Sequence, residues 1–178
     1  MREIDGIEEV IKILRPHWVA IEEDFNRENE RFKALLARDH DTLGRVLKCH
    51  LIVEHYVSRF LATHFNLHNI NSAKLSFFQK ATLLPDAAAS AAFVKPGILR
   101  LNTIRNQFGH TLEPIVGHAD LGAMQAVLNV ARPGVAFPTA IEAIEAFTTV
   151  ACTWLILPPP ALQQVFVDAF AEVRVHAI

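Results

Sequence analysis

The stretch TLGRVLKCHLIVEHYVSRFLATHF, residues 42–65, is the longest uninterrupted segment of helical character in the chain. Leu43, Leu47, Ile52, Val53, Val57, Phe60 and Leu61 give it an extended apolar face, and Asp41, just before it, supplies an N-cap. A helix of this length needs neighbours to cover such a face, so the segment reads as the centre of a bundle. Helix-favouring Ala, Leu, Glu and Arg are frequent, Gly is scarce at 7 residues, and alternating β-branched runs are hard to find. The expected fold class is all-α, an antiparallel helical bundle, and 51% hydrophobic residues in 178 suffice for one buried core.

Toward the N-terminus, Asp5 caps a short helix that ends before Pro16, and HWVAIEEDFNRENERFKALLAR, residues 17–38, follows as a longer helix whose acids and bases alternate as on an exposed face. Residues 1–38 thus form an N-terminal helical arm. Toward the C-terminus, NLHNIN breaks the central helix, and Asn71 caps SAKLSFFQKATLL, which stops around Pro85. After the Ala-rich DAAASAAFV, Pro96 stands at a helix start and opens the next helix. RPG at 132–134 is a turn, Pro138 leads into TAIEAIEAFTTVACTWLIL, and Pro158, Pro159 and Pro160 separate that helix from a last one through ALQQVFVDAFAEVR. The expected organisation is a single domain, 1–178, with a core at 41–115 and extra C-terminal helices over 118–178.

Cys49 and Cys152 lie far apart in aliphatic surroundings, outside any C-x-x-C pair, where a free cysteine behaves as a small buried hydrophobe. A reducing cytoplasm fits. The opening MREIDGIEEVIKIL mixes acids into its apolar run, unlike a secretory signal, and Glu142 and Glu145 interrupt the long C-terminal apolar stretch, so no membrane span is expected. The net charge of -2 conceals an asymmetry. Residues 41–105 hold 8 Lys/Arg against 3 acids, between flanks in which acids are in excess. The plain account is a basic segment packed between acidic ones; the sharper account is a surface for an anionic ligand.

That basic third ends at LRLNTIRNQFGHTLE, residues 99–113. On a helix at about 100° per residue, Leu101, Ile104, Phe108 and Leu112 share one core-facing arc. Arg105, Gly109, Asn102, Asn106 and His110 occupy the adjacent one. Two asparagines one turn apart lower helix propensity where Glu or Lys would not, and Gly109 costs roughly 1 kcal/mol relative to Ala while leaving the backbone open to close approach. Together they form a shallow floor flanked by a fixed cation and a titratable ring. Such a pair suits metal-independent cleavage of RNA: a histidine takes a proton from a 2'-hydroxyl or gives one to the leaving oxygen, and an arginine fork holds the non-bridging phosphate oxygens. Asn106 would orient the imidazole or bind substrate. A plainer role fits the same residues, with His110 in the last turn of a helix and Arg105 paired with an acid on a neighbour. Arg-x4-His occurs three times, at Arg45/His50, Arg59/His64 and Arg105/His110, and only the third has asparagine and glycine between its ends.

LNTIRNQFGH resembles the R-N-x-x-x-H signature of the HEPN superfamily, all-helical domains that include metal-independent RNases of toxin–antitoxin and phage-defence systems. Upstream, LSFFQKATLL is similar to the helix before the signature in the mannitol-repressor-like branch, and LKCHLIVEHYVSRFL to that branch's long helix. The resemblance covers roughly residues 41–115. It implies a bundle that dimerises so that two signature helices face each other across a cleft, with Arg105 binding phosphate, His110 catalytic and Asn106 the polar residue after the arginine. Glu54, from the VEH of the long helix, would pair with Arg105 and fix its fork. The implied protein is a cytoplasmic homodimeric ribonuclease serving as a toxin or defence effector, with RNA as substrate, 2',3'-cyclic phosphate and 5'-hydroxyl products, and a nucleotidyltransferase-like antitoxin as possible partner. The branch also contains regulatory members, so a non-catalytic protein-interaction module is the alternative.

No cofactor or metal is expected. His50 and Glu54 lie one turn apart, but His55 points elsewhere and no third ligand stands at a recognised spacing. Neither cysteine has a histidine partner by sequence, and neither a G-x-x-x-x-G-K-[ST] loop nor a G-x-S-x-G elbow is present.

Overall fold

The computed structural model describes residues 6–37, 41–68, 70–111 and 114–174, without the side chains of Phe32, Asn71 and Pro160. Among them every regular element is a helix or a 3-10 turn, and extended pairing is confined to one isolated bridge between Ala87 and Arg174. The chain divides into two units, Met1–His40 and Asp41–Ile178.

In the first unit, α1 (Ile7–Leu14) ends at a 3-10 turn, Arg15–His17, that holds Pro16, and α2 (Trp18–Leu36) follows. Asp5 lies outside the described residues. The mixed charges of the arm close into ion pairs one turn apart: Lys12 with Glu9, Arg27 with Asp24, Arg31 with Glu28 and Lys33 with Glu30. All are exposed, and such pairs add only a few tenths of a kcal/mol each, about 0.2–0.5. The helices also leave Ile7, Ile11, Ile13, Trp18, Val19 and Phe25 exposed.

The second unit holds α3 (Asp41–His64), α4 (Phe77–Thr82), α5 (Ser90–His110), α6 (Ala123–Ala131), α7 (Ala140–Trp154) and α8 (Gln163–Phe170). α3 packs against α7, α5 packs against α4, α6 and α7, and α3 also meets α4 and α5. The seam of α3 is Val46, Cys49, His50, Val53, Val57, Phe60 and Leu61. It is rotated from the face expected: Ile52 is exposed, while Leu43 and Leu47 are only partly covered.

Two boundaries and one helix differ from expectation. α4 starts at Phe77 because Ile70–Ala73 is a separate 3-10 turn and Lys74 adopts a left-handed φ of 51°. Its cap is Ser76, whose Oγ accepts from the Gln79 N–H at 3.3 Å while its own N–H donates to Gln79 Oε1 at 2.8 Å. The side chain of Asn71, the expected cap, lies outside the described residues. α5 starts at Ser90 rather than at Pro96, which stands inside it. Proline there cannot donate to the Ala92 carbonyl. The helix runs through it nonetheless, because Ala91, Ala92, Val94 and Ile98 on both sides are fully buried. α6, unanticipated, buries Met124, Val127 and Leu128 on one face and is preceded by Gly122 at φ 49°.

Buried Lys95 joins α5 to the end of α4. Its ammonium donates to the Thr82 carbonyl at 2.9 Å and the Leu84 carbonyl at 2.6 Å, and it pairs with exposed Asp86 at 2.6 Å. These bonds satisfy carbonyls that the helix end leaves open. Lys95→Met is therefore expected to destabilise the protein by about 2–4 kcal/mol, because two acceptors lose their donor. Urea titration measures it; a loss below about 0.5 kcal/mol would show that water replaces the ammonium freely.

Candidate functional site

Four of the eight basic residues of segment 41–105 meet acids. Arg45 on α3 makes a two-pronged contact with Glu145 on α7 at 2.9 and 2.8 Å and reaches Asp41 at 3.5 Å. Its guanidinium holds the Glu145 carboxyl below the usual carboxylate range. Lys80 pairs with Glu54 at 2.9 Å, Lys95 with Asp86, and Arg100 with Asp120, whose carbonyl it also meets. Two of these acids, Glu145 and Asp120, come from the acid-rich C-terminal segment, so the plain account of packed opposite charges holds here. It does not extend to Lys48, Arg59, Lys74 and Arg105, which form no ion pair among the described residues; Arg59 instead lies over the Tyr56 ring, 5.9 Å from its centroid.

Arg105 is exposed on α5, and its Nη1 donates to Asn106 Oδ1 at 3.2 Å. A guanidinium carries five N–H donors, so most of the fork stays available to a ligand. Leu101 and Ile104 are fully buried and Phe108 half-buried, which turns the polar arc outward as expected. Leu112 lies outside the described residues. His110, the last residue of α5, is exposed, and its side chain makes no hydrogen bond or ion pair among them. Nothing lies within 4 Å of where a Gly109 Cβ would stand. The floor at Gly109 is therefore open, and no contact among the described residues requires glycine there.

Glu54 does not fix the Arg105 fork. Its carboxylate is taken by Lys80 of α4 at 2.9 Å, while Arg105 bonds Asn106. Lys80 is buried and the Glu54 side chain is about 28% exposed. An ammonium that buried needs a countercharge more than an exposed guanidinium does.

Sequence reasoning set His50 aside as a metal ligand and missed what it does here. It is 6% exposed, packs its ring on Phe77 with centroids 4.2 Å apart, and leaves Nε2 buried without a hydrogen-bond partner among the described residues. Burial first, and then the positive charge of Arg105, lower its pKa, against the opposite pull of Glu54 and of the Asn102 side chain. Asn102 and Arg105 of α5 thus bear on His50 of α3. The available signal was periodicity: His50 follows Val46 and precedes Val53 on the core seam, and Lys80 sits with Phe77 and Ala81 on the buried side of α4.

A histidine neutral in the folded state and charged from about pH 6.5 downward in the unfolded chain makes the unfolded state bind more protons in that interval. Its contribution is complete above pH 6.5 and is lost as pH falls toward the folded-state value. Wild-type stability is expected to fall below pH 6.5, and His50→Gln to remove part of that slope; parallel urea midpoints for both proteins from about pH 5 to 8 would contradict the assignment.

Burial raises both thiols, Cys152 to about 11, so neither is a ready nucleophile. Among the described residues no three His, Cys, Asp or Glu side chains gather as a metal site, and no helix is long and apolar enough to cross a membrane. Two cavities of about 310 and 300 Å³ lie by the C-terminal ends of α3 and α7, the second bordered by Ala89 and Ser90. They are at the opposite end of α5 from Arg105. No protein-family model matches the chain, and neither the curated proteins nor the solved structures contain a match to it.

Proposed function

We propose that the protein is a metal-independent endoribonuclease of the HEPN type, acting as a toxin or defence effector. The observation that carries this reading is the state of Arg105: an exposed guanidinium without a carboxylate partner among the described residues, steadied by Asn106, on the same helix end as an exposed His110. An arginine that solubilises a helix gains from a nearby acid, whereas one that binds phosphate must keep its fork free. In the reaction the 2'-oxygen of the RNA attacks the adjacent phosphorus, a proton passes to His110 or from it to the departing 5'-oxygen, and Arg105 holds the non-bridging oxygens as charge builds. The products are a 2',3'-cyclic phosphate and a 5'-hydroxyl.

Arg105 and His110 are five residues apart, which on a helix is about 140° around and 7.5 Å along the axis. The two groups flank a phosphate from different sides, and a second copy facing the first would supply the complementary pair. The proposal therefore includes a homodimer, and a nucleotidyltransferase-like antitoxin as its partner. The uncovered apolar side chains of the arm favour a second reading, a non-catalytic module that binds a protein. The test is incubation of structured and unstructured RNA with wild type and Arg105→Ala in EDTA. Cleavage by wild type alone, with equal circular dichroism, supports the enzyme. Absence of cleavage by both favours the interaction module.

A further inference from the structure

No described side chain of α1 or α2 is buried; Ile21 and Leu35 are half-buried, and Trp18 and Phe25 are 51% and 68% exposed. Helices in water are held mainly by the packing of an apolar face, which the weak ion pairs of the arm do not replace. The period of that face says what covers it. From Ile7 to Leu35, alternate steps of four and three residues reach an apolar residue each time except at Glu28. This is a 3.5-residue repeat sustained over about four heptads, the spacing by which two like helices supercoil, each filling the other's gaps. α1 passes into α2 through the Arg15–His17 turn alone, and Pro16 takes the heptad position opposite the seam. The proline therefore stays out of the contact.

Charge narrows the occupant. Residues 1–40 hold 10 acids against 7 Lys/Arg, the wrong balance for a helix lying on an anionic lipid surface. Lys12, Arg27, Arg31 and Lys33 find acids within their own helix, whereas Arg15 and Glu22 form no ion pair among the described residues. Both border the seam, one residue past Leu14 and Ile21. With two arms antiparallel and fully overlapped, Trp18 lies level with Ile21 of the partner subunit and Leu14 with the partner's Phe25. Arg15 then meets the partner's Glu22 on each side of the two-fold axis. A parallel pair loses those contacts: it leaves Arg15 beside Val10 of the partner subunit and sets two Glu28 carboxylates against each other within the seam. In the antiparallel pair Glu28 lies against the partner's Ile11 and keeps its own Arg31.

We propose that the arm is a homotypic dimerisation element, pairing with the arm of a second copy as an antiparallel coiled coil. The inference is independent of the reading of Arg105. Sedimentation equilibrium of the full wild-type chain is expected to show a dimer at micromolar concentration. Phe25→Asp should raise the dissociation constant by about a hundredfold or more, since each copy loses an apolar knob and gains a buried charge. Glu28→Leu, which completes the seam, should lower it by about tenfold, whereas Asn26→Leu, outside the seam, should leave it unchanged. A gain of affinity at position 28 cannot come from a variant that merely fails to fold. Arg15→Glu and Glu22→Arg should each weaken the dimer by about fivefold, yet the two variants mixed should form a heterodimer as tight as wild type, because each supplies the charge the other needs. A wild-type monomer, or a dimer indifferent to Phe25→Asp and Glu28→Leu, would overturn the proposal. The first result means that the chain covers its own arm, and the second that another face makes the dimer. Charge variants that do not restore one another, when the seam variants behave as expected, would overturn the antiparallel arrangement.

Discussion

Replacing Gly97 with alanine is expected to lower the melting temperature by about 3–8 °C, from a net loss of about 1–2 kcal/mol. Gly97 is where α5 crosses α7, and a Cβ built there would stand 2.3 Å from Cε2 and 2.5 Å from Cζ of Phe147. Both are far inside any carbon–carbon contact distance. The ring is fully buried and cannot swing into solvent, so relief requires the helices to move apart. Alanine gains roughly 1 kcal/mol of helix propensity over glycine, and overpacking of a dense core typically costs about 1–3 kcal/mol and sometimes more. At this distance the clash outweighs the gain. Phe147→Leu, destabilising alone because it opens a cavity, is expected to recover much of the loss when combined with Gly97→Ala. Thermal melts of the four proteins in that cycle measure the coupling. An unchanged melting temperature in Gly97→Ala would mean that the α5–α7 crossing is looser than the structure has it.

His110→Ala is expected to lower RNA cleavage by about 10²–10⁴-fold, the usual contribution of a positioned acid–base group. Arg105→Ala is expected to lower it by about 10²–10³-fold through lost stabilisation of the phosphate oxygens. The two losses should not add, since both residues serve one transition state. Neither substitution should change the unfolding free energy by more than about 0.5 kcal/mol, because both side chains are exposed and neither supports the core. Arg105→Lys keeps the charge and loses the planar fork, so it should bind RNA better than Arg105→Ala yet remain slow in turnover. Initial rates under single-turnover conditions, beside urea melts, separate these outcomes. A His110→Ala protein that keeps wild-type rates would remove the histidine from the chemistry.

The long helices were legible because they repeat their pattern often enough to read. α3 and α7 each run for four turns or more, and their boundaries match those expected within three residues. α6 has 9 residues and α4 has 6, too few for periodicity to stand out against neighbouring loops. Pro96 misled by its usual preference for the first turn, which buried neighbours on both sides override. The polar arc of α5 was legible because one helix carries all of it. The burial of His50 and Lys80 was readable from the apolar seams they sit on, but their partners were not, because the Glu54–Lys80 pair and the ring contact of His50 with Phe77 arise from the packing of α3 on α4. Glu54 shows the same limit: its place on the face was readable, and its choice of Lys80 over Arg105 was not.

The central claim is tested most directly by the chemistry of the ends that the wild-type protein leaves on RNA in EDTA. The account predicts a 2',3'-cyclic phosphate on one fragment, identified by its mass and by its resistance to phosphatase until acid opens the ring, and a 5'-hydroxyl on the other. Fragments ending in a 3'-hydroxyl and a 5'-phosphate, or RNA that is cut only after a divalent metal is restored, would contradict it.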